Sequence, residues 1–354
     1  MVVTTGIWAD VVASVGCDDS VTVTTIIPPG GDPHTFEPSL RDRESMEDAA
    51  LVVSNGLALE ESILDTLEAV AQAGVPMFEF GDHVDTIEFD LAAAHGHGHG
   101  DAEDDHDEGE DGDDHDEGEE DDDHGDEDAE EEGDDHDEGE GGEDDGHDED
   151  EGDDHDEGED GEEGDDHHEE GGADPHIWFD LQQVANALPD LADALIAAGA
   201  DASTVRGCLE DYRTQMVAAD AEIIEIVGEI PPERRILVTN HESLGYFADR
   251  YGFEIVGTVI PANTTAAASN PAALADLAEI IEHEGVVAVF SETTSADDDA
   301  QALATAAGDI AVVPLLTGSL APPGDDGDTL IGLLLHNART IVDALAAGSA
   351  DGGQ

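Results

Sequence analysis

The tripeptide Asp-Pro-His occurs twice, in DPHTFEP from Asp32 and in DPHIWFD from Asp174, with a run of histidine and acid between the copies. Imidazole is the side chain most used to hold a transition metal, and this setting suits it. Proline fixes its own φ and keeps the residue before it out of the α region, so His34 and His176 each leave a stiff, turned backbone. The aspartate two residues earlier can accept a hydrogen bond from a backbone N–H or from the ring, fixing the tautomer that a metal needs. A third histidine, His241, follows the strand-like RILVTN. It therefore stands where the carboxyl end of a strand opens onto a crevice, the usual ligand position of open α/β sheets. His34 likewise follows VTVTTII through the tight PPGGD loop. Taken together, His34, His176 and His241 read as ligands of one ion. Of the remaining ordered histidines, His83 lacks such a context, His283 reads as surface and His336 as a packing residue.

Between the two Asp-Pro-His copies, residues 95–172 have almost no apolar side chains and repeat DDHDEGE at positions 104, 113, 134 and 153. With nothing to bury, such a segment cannot offset its chain entropy, and disorder is expected. Solubility alone does not require its eleven histidines, His95, His97, His99, His106, His115, His124, His136, His147, His155, His167 and His168. Histidine-rich tracts bind metals, so these side chains are expected to form an auxiliary, weaker set of sites.

The elements that must position the three histidines alternate. VVTT, VTVTTII, LVVSN and VPMFEF read as strands, separated by the helical IWADVVASVG, RESMEDA and LEESILDTLEAVAQAG. After the second Asp-Pro-His comes WFDLQQVANALPDLADALIAAGA, a helical stretch expected to break at Pro189. A long helix through ASTVRGCLEDYRTQMVAADAEIIEIVGEI then stops at Gly228 and Pro231-Pro232. Strand–helix alternation resumes with RILVTN, FEIVGTVI, VVAVF and DIAVVPL, and a final helix is expected from Thr329 to Ala347. The predicted fold is α/β: two βα lobes with parallel sheets, joined by a long backbone helix, with a metal cleft between them. The expected boundaries are 1–200 for the first lobe including the insertion, 201–229 for the linking helix and 230–354 for the second lobe.

The charge balance excludes several partners. The chain of 354 residues holds 94 acids against 8 basic residues, a net charge of −86, and all eight basic residues are arginine. Half of the acids, 47, lie between Asp101 and Glu170, so the rest of the chain is acidic in its own right. Such a surface repels nucleic acid and anionic membranes. It needs screening, which molar salt supplies by shortening the Debye length to about 3 Å, and it points to a halophile. No apolar run of about 18 residues is evident, so no membrane span is expected. Cys17 and Cys208 are far apart and lack CxxC spacing. They give neither a zinc ribbon nor a disulfide framework, and a bridge between them, though possible, is not the expectation.

The order PPGGDPHTFEPSLRD, acidic His-rich insertion, DPHIWFDL, NHESLGYFADRYG and GDTLIGLLLHN resembles the zinc/manganese substrate-binding proteins of ABC importers, the ZnuA-like group. The resemblance spans the chain apart from the insertion, whose position and character match the zinc-specific members. It implies two βα lobes on a rigid helix and a monomeric receptor, not an enzyme, that hands a divalent ion to an importer permease and its ATPase. By position, it implies His34, His176 and His241 as ligands, with Asp328 of GDTLIG or a water completing the site. Phe36 stands where the family usually has Tyr, and Leu330 and Ile331 where it has aromatics. A third His in place of the Glu of manganese-preferring relatives favours Zn²⁺ over Mn²⁺, in line with ligand softness. The resemblance further implies an extracytoplasmic location through a signal or lipid anchor ahead of the first strand, where this sequence begins. The alternatives are a manganese or other divalent-metal receptor and a stand-alone zinc buffer. A zinc hydrolase is disfavoured, because HESLG is not HExxH.

Overall fold

The computed structural model describes residues 1–17, 20–88 and 172–351, with side chains to 347. The expectations for residues 95–171, including the eleven histidines and their disorder, lie outside the described residues. Two four-stranded parallel sheets organise the rest, in the same strand order. In the first lobe β1 (Val2–Val3), β2 (Thr24–Thr25), β3 (Val52–Ser54) and β4 (Met77–Glu79) run β2-β1-β3-β4. In the second, β5 (Ile236–Thr239), β6 (Glu254–Thr258), β7 (Ala288–Glu292) and β8 (Ala311–Leu315) run β6-β5-β7-β8. The central strands β1, β3 and β7 are buried along their length, as the near-continuous apolar runs of a two-sided parallel sheet require. The expected strand VTVTTII shrinks to the exposed edge pair Thr24–Thr25, although the N–H groups of Ile26 and Ile27 still donate to Val3 and Thr4 at 2.9 and 2.8 Å.

Nine α-helices are described: α1 (Gly6–Gly16), α2 (Leu40–Glu47), α3 (Leu64–Gln72), α4 (Leu181–Ala197), α5 (Ala202–Val227), α6 (Gly245–Tyr251), α7 (Pro271–Glu284), α8 (Asp298–Ala306) and α9 (Leu330–Asp351). The long helix is α5, about 39 Å at 1.5 Å per residue. Asp201 caps it by accepting the Thr204 N–H at 2.9 Å. Val205, Leu209, Tyr212, Met216, Ala219, Ile223 and Val227 recur at helical spacing and are its buried face. This face packs against α1, α4 and α9, so a single apolar core runs from Trp8 and Trp178 of the first lobe to Phe247 and Phe290 of the second. The lobes are thereby built on a shared core. Arg250 adds a two-pronged bond to Asp220, at 3.1 and 2.6 Å, tying α6 to α5.

Three local expectations are corrected. First, α4 does not break at Pro189 but runs through it. Proline in a helix interior costs about 3 kcal/mol. Leu188, Leu191 and Leu195 are fully buried beside it, and each contributes about 1.5–3 kcal/mol, so packing wins over propensity. Second, Cys17 and Cys208 form a disulfide, with Cα atoms 5.8 Å apart. Cys17 closes α1 in the left-handed region at φ 60°, and this turn aims its side chain at α5. A separation of 191 residues left no local signal of the pairing. Third, one helix is long and apolar enough to cross a membrane by composition alone, residues Leu330–Ala347. Its Leu330, Leu333, Leu334, Ala338 and Ile341 are buried in the shared core, which is the position of a core helix.

Candidate metal centre

Each of the three histidines leaves the carboxyl edge of its lobe on a backbone held by neighbours. Before His34, Gly30 turns the chain at φ 78°, in the left-handed region that glycine tolerates. The Gly30 N–H donates to Ser319 Oγ of the second lobe at 2.8 Å. Asp32 Oδ1 accepts the His34 N–H at 3.0 Å, and the Ser62 hydroxyl donates to the His34 carbonyl at 3.1 Å. At the second copy, the Pro175 carbonyl is held by Asn55 Nδ2 at 2.9 Å, and Asn55 in turn accepts from the Trp8 indole. The chain returns there from the His-rich segment with Ala173 paired to Glu88. Tyr246 of the second lobe receives the Ile87 N–H at 3.2 Å and donates to the Asp174 carbonyl at 3.1 Å. His241 follows β5, with its carbonyl taking the Thr239 hydroxyl at 2.9 Å.

The three rings converge. His34 Nε2 lies 3.2 Å from His176 Nε2, and His241 Nε2 lies 3.1 Å from the same atom. Their ring centroids are 4.9–5.4 Å apart, and the three residues are only 2–3% exposed. Three imidazoles presenting their Nε2 atoms to one point form the single cluster of metal-donor side chains found among the described residues. Asp32, Pro33, Trp178, Thr265, Glu292, Thr294, Thr317 and Gly318 complete the lining, so both lobes contribute.

Asp328 is not brought to this cluster. Its Oδ2 accepts the Gly324 N–H at 2.8 Å within its own turn, and it does not line the cavity. Asp32 and Glu292 are the carboxylates that line it, and of these two Glu292, at the end of β7, bonds a ring, its Oε1 lying 2.5 Å from His241 Nδ1. Sequence reasoning missed Glu292, although it ends a strand, VVAVFSE, just as His241 follows one. Its second oxygen, Oε2, is buried without a well-formed hydrogen bond, with the Thr317 side chain beside it.

Electrostatics separates the rings. Burial, reinforced by the other two rings, pushes His34 down to about 2. His176 is also lowered by burial, which outweighs the help of Asp174. Burial pulls His241 down as well, but Glu292 overrides it and holds this ring above its ordinary value; burial pushes Glu292 up in turn, but His241, helped by His176 and Thr317, holds it below the usual carboxylate range. Neutral His34 and His176 have lone pairs free for a metal. An ion displacing the proton of His241 would leave the Glu292 charge to balance its own.

Comparison with known proteins decides the family. A family model described as ZnuA, zinc-uptake complex component A periplasmic, matches residues 1–344. The chain belongs to this family. Its members are metal-binding receptors rather than enzymes. Among curated relatives of the ZnuA-family chain, the zinc-binding protein TroA of Treponema pallidum is 29% identical over 185 residues. The manganese-binding lipoprotein MntA of Halalkalibacterium halodurans is 26% identical over 179 residues. Each alignment spans 50% of this chain and 59% of the relative. In fold, the periplasmic zinc-binding protein TroA superposes with a TM-score of 0.70 at 21% identity, covering 97% of this chain and 98% of that one. A Mn-bound periplasmic metal-binding protein from Candidatus Liberibacter asiaticus gives 0.67 at 18% identity, with the same coverage.

Proposed function

We propose that this ZnuA-family protein is an extracytoplasmic receptor that binds one Zn²⁺ ion through His34, His176 and His241 and delivers it to an ABC importer. The observation that carries this reading is the convergence of three buried Nε2 atoms with no carboxylate oxygen in the same cluster. A three-imidazole set suits a borderline ion such as Zn²⁺ in tetrahedral geometry, and a hard, oxygen-seeking ion such as Mn²⁺ less well. The fourth position is assigned to a water rather than to Asp328, which is engaged elsewhere. The Cys17–Cys208 disulfide supports an oxidising, extracytoplasmic setting. The histidines at 95–168 act as an auxiliary collector that raises the local ion concentration, and the lysine-free acidic chain suits concentrated salt.

A manganese receptor is the rival reading, favoured by the relatives named for that metal. It would need a carboxylate donor, and the carboxylate oxygens nearest the rings, Glu292 Oε1 and Asp174 Oδ1, are already bonded to Nδ1 of His241 and of His176. Competition of Zn²⁺ against Mn²⁺ for the purified chain in molar potassium chloride tests the choice. The proposal expects Zn²⁺ to displace bound Mn²⁺ at stoichiometric concentration and Mn²⁺ not to displace Zn²⁺. Retention of Mn²⁺ against equimolar Zn²⁺ would favour the rival.

A further inference from the structure

An imidazole that coordinates through Nε2 carries its proton on Nδ1, and that N–H needs an acceptor to hold the ring in place. Two of the three rings already have one. Asp174 Oδ1 lies 2.8 Å from His176 Nδ1, and Glu292 Oε1 lies 2.5 Å from His241 Nδ1, both acceptors buried. His34 differs: its Nδ1 is buried and has no hydrogen-bond partner. The nearest carboxylate is Glu61, with Oε1 at 3.6 Å and a side chain 40% exposed.

The position of Glu61 follows from its neighbours. Glu60 is fully buried, and its Oε1 takes the Thr4 hydroxyl at 2.6 Å and the Asn55 N–H at 2.8 Å, pinning the turn to the ends of β1 and β3. On the other side of Glu61, Ser62 donates to the carbonyl of His34 itself. The turn is fastened on both flanks, and Glu61 faces the one ring that lacks an acceptor. From 3.6 Å, the 2.7–2.9 Å of a charge-assisted bond is less than about 1 Å away, for a side chain that reaches solvent.

We propose that Glu61 is a positioning residue of the metal centre, which accepts the Nδ1 proton of His34 when Nε2 takes the ion, and that His34 is the ligand that releases first. This inference rests on the three-histidine reading above. His176 and His241 are each held by a buried carboxylate and stay in register. His34 is held by a carboxylate that can turn away into solvent. Glu61 therefore governs how long the ion stays more than whether it can enter.

The test uses the full chain loaded with Zn²⁺ in molar potassium chloride, with dissociation followed after mixing with excess chelator. Fast release from the histidines at 95–168 is common to every variant and is set aside. Loss of an outer hydrogen-bond partner typically costs 10–100-fold in metal affinity. At this half-exposed position, Glu61→Ala should speed the slow phase about tenfold, at the low end of that range. Glu61→Gln, which keeps a weaker acceptor, should fall between it and the parent. Thermal stability of the metal-free chain should not change. With ¹⁵N-labelled histidine, the zinc-loaded parent should show a protected His34 Nδ1–H that exchanges rapidly in Glu61→Ala, while those of His176 and His241 stay protected. A slow phase within twofold of the parent and an unchanged His34 Nδ1–H in Glu61→Ala would overturn the proposal. A slow phase that survives His34→Ala would instead overturn the underlying three-histidine site, so the two failures are distinguishable.

Discussion

The two Asp-Pro-His turns are identical in sequence and differ in what the aspartate does. In both, Oδ1 accepts the N–H of the histidine two residues on, at 3.0 Å for Asp32 and 2.9 Å for Asp174. At the second copy the same oxygen also holds the ring, 2.8 Å from His176 Nδ1. At the first copy the ring is left aside, and Asp32 Oδ2 takes the hydroxyl of Thr265 from the other lobe at 2.5 Å. Surroundings decide between the two. Asp174 is 1% exposed and lies against Gly245, where a Cβ would come within 2.6 Å of its Oδ2, so the close approach requires glycine there. Asp32 stands at the rim, where a loop of the second lobe competes for it. A shared motif fixes the backbone; the neighbouring lobe decides whether the side chain serves the ligand or fastens the lobes together.

The largest effect that sharpens this contrast is expected at the second turn. Asp174→Asn replaces a buried, charge-assisted acceptor with an amide and should weaken zinc binding by about 10–100-fold, measured by chelator competition. The matched Asp32→Asn should change affinity by less than about threefold, because the His34 ring does not depend on Asp32. Equal losses from the two substitutions would erase the distinction.

A second contrast separates His34 from His241 in the metal-free protein. His34 is pushed down to about 2 by burial, so the unfolded chain binds a proton near pH 6.5 that the folded chain refuses. Its stabilising contribution is present above pH 6.5 and lost as pH falls toward 2. His241 has the opposite sign: it is raised by Glu292, so its contribution is full below pH 6.5 and lost as pH rises through its folded value. Thermal melts from pH 7.5 to 5 check this without a metal, using His34→Asn and His241→Asn as references to cancel the titration of the many carboxylates. The stability difference between parent and His34→Asn should move against the parent on acidification, and that for His241→Asn in its favour. Two differences moving in the same direction would contradict the assignment.

Much of the architecture was legible because its causes are local. Strand–helix alternation gave both sheets, and the absence of Pro from Ala202 to Val227, ended by Gly228 and Pro231-Pro232, gave α5, while its Asp201 cap emerged only in the structure. Repetition of Asp-Pro-His and the strand preceding His241 brought the three rings under suspicion together. What escaped depended on distant neighbours. Leucines packed around Pro189 preserve a helix that local propensity would end, and the Cys17–Cys208 bridge joins segments 191 residues apart. Asp328 was carried over by its place in GDTLIG, but its carboxylate accepts the Gly324 N–H within the local turn. Glu292 went unnoticed because nothing local distinguishes it from the other acids of so acidic a chain; only the fold places it behind His241.

The most direct test of the three-histidine centre is a zinc competition titration in molar potassium chloride. It compares the intact chain, a chain lacking residues 95–172, and His241→Ala in each. One tight site should survive removal of the His-rich segment and disappear with His241→Ala in both backgrounds. Tight binding that vanishes with the segment, or persists without His241, would contradict a receptor built on His34, His176 and His241.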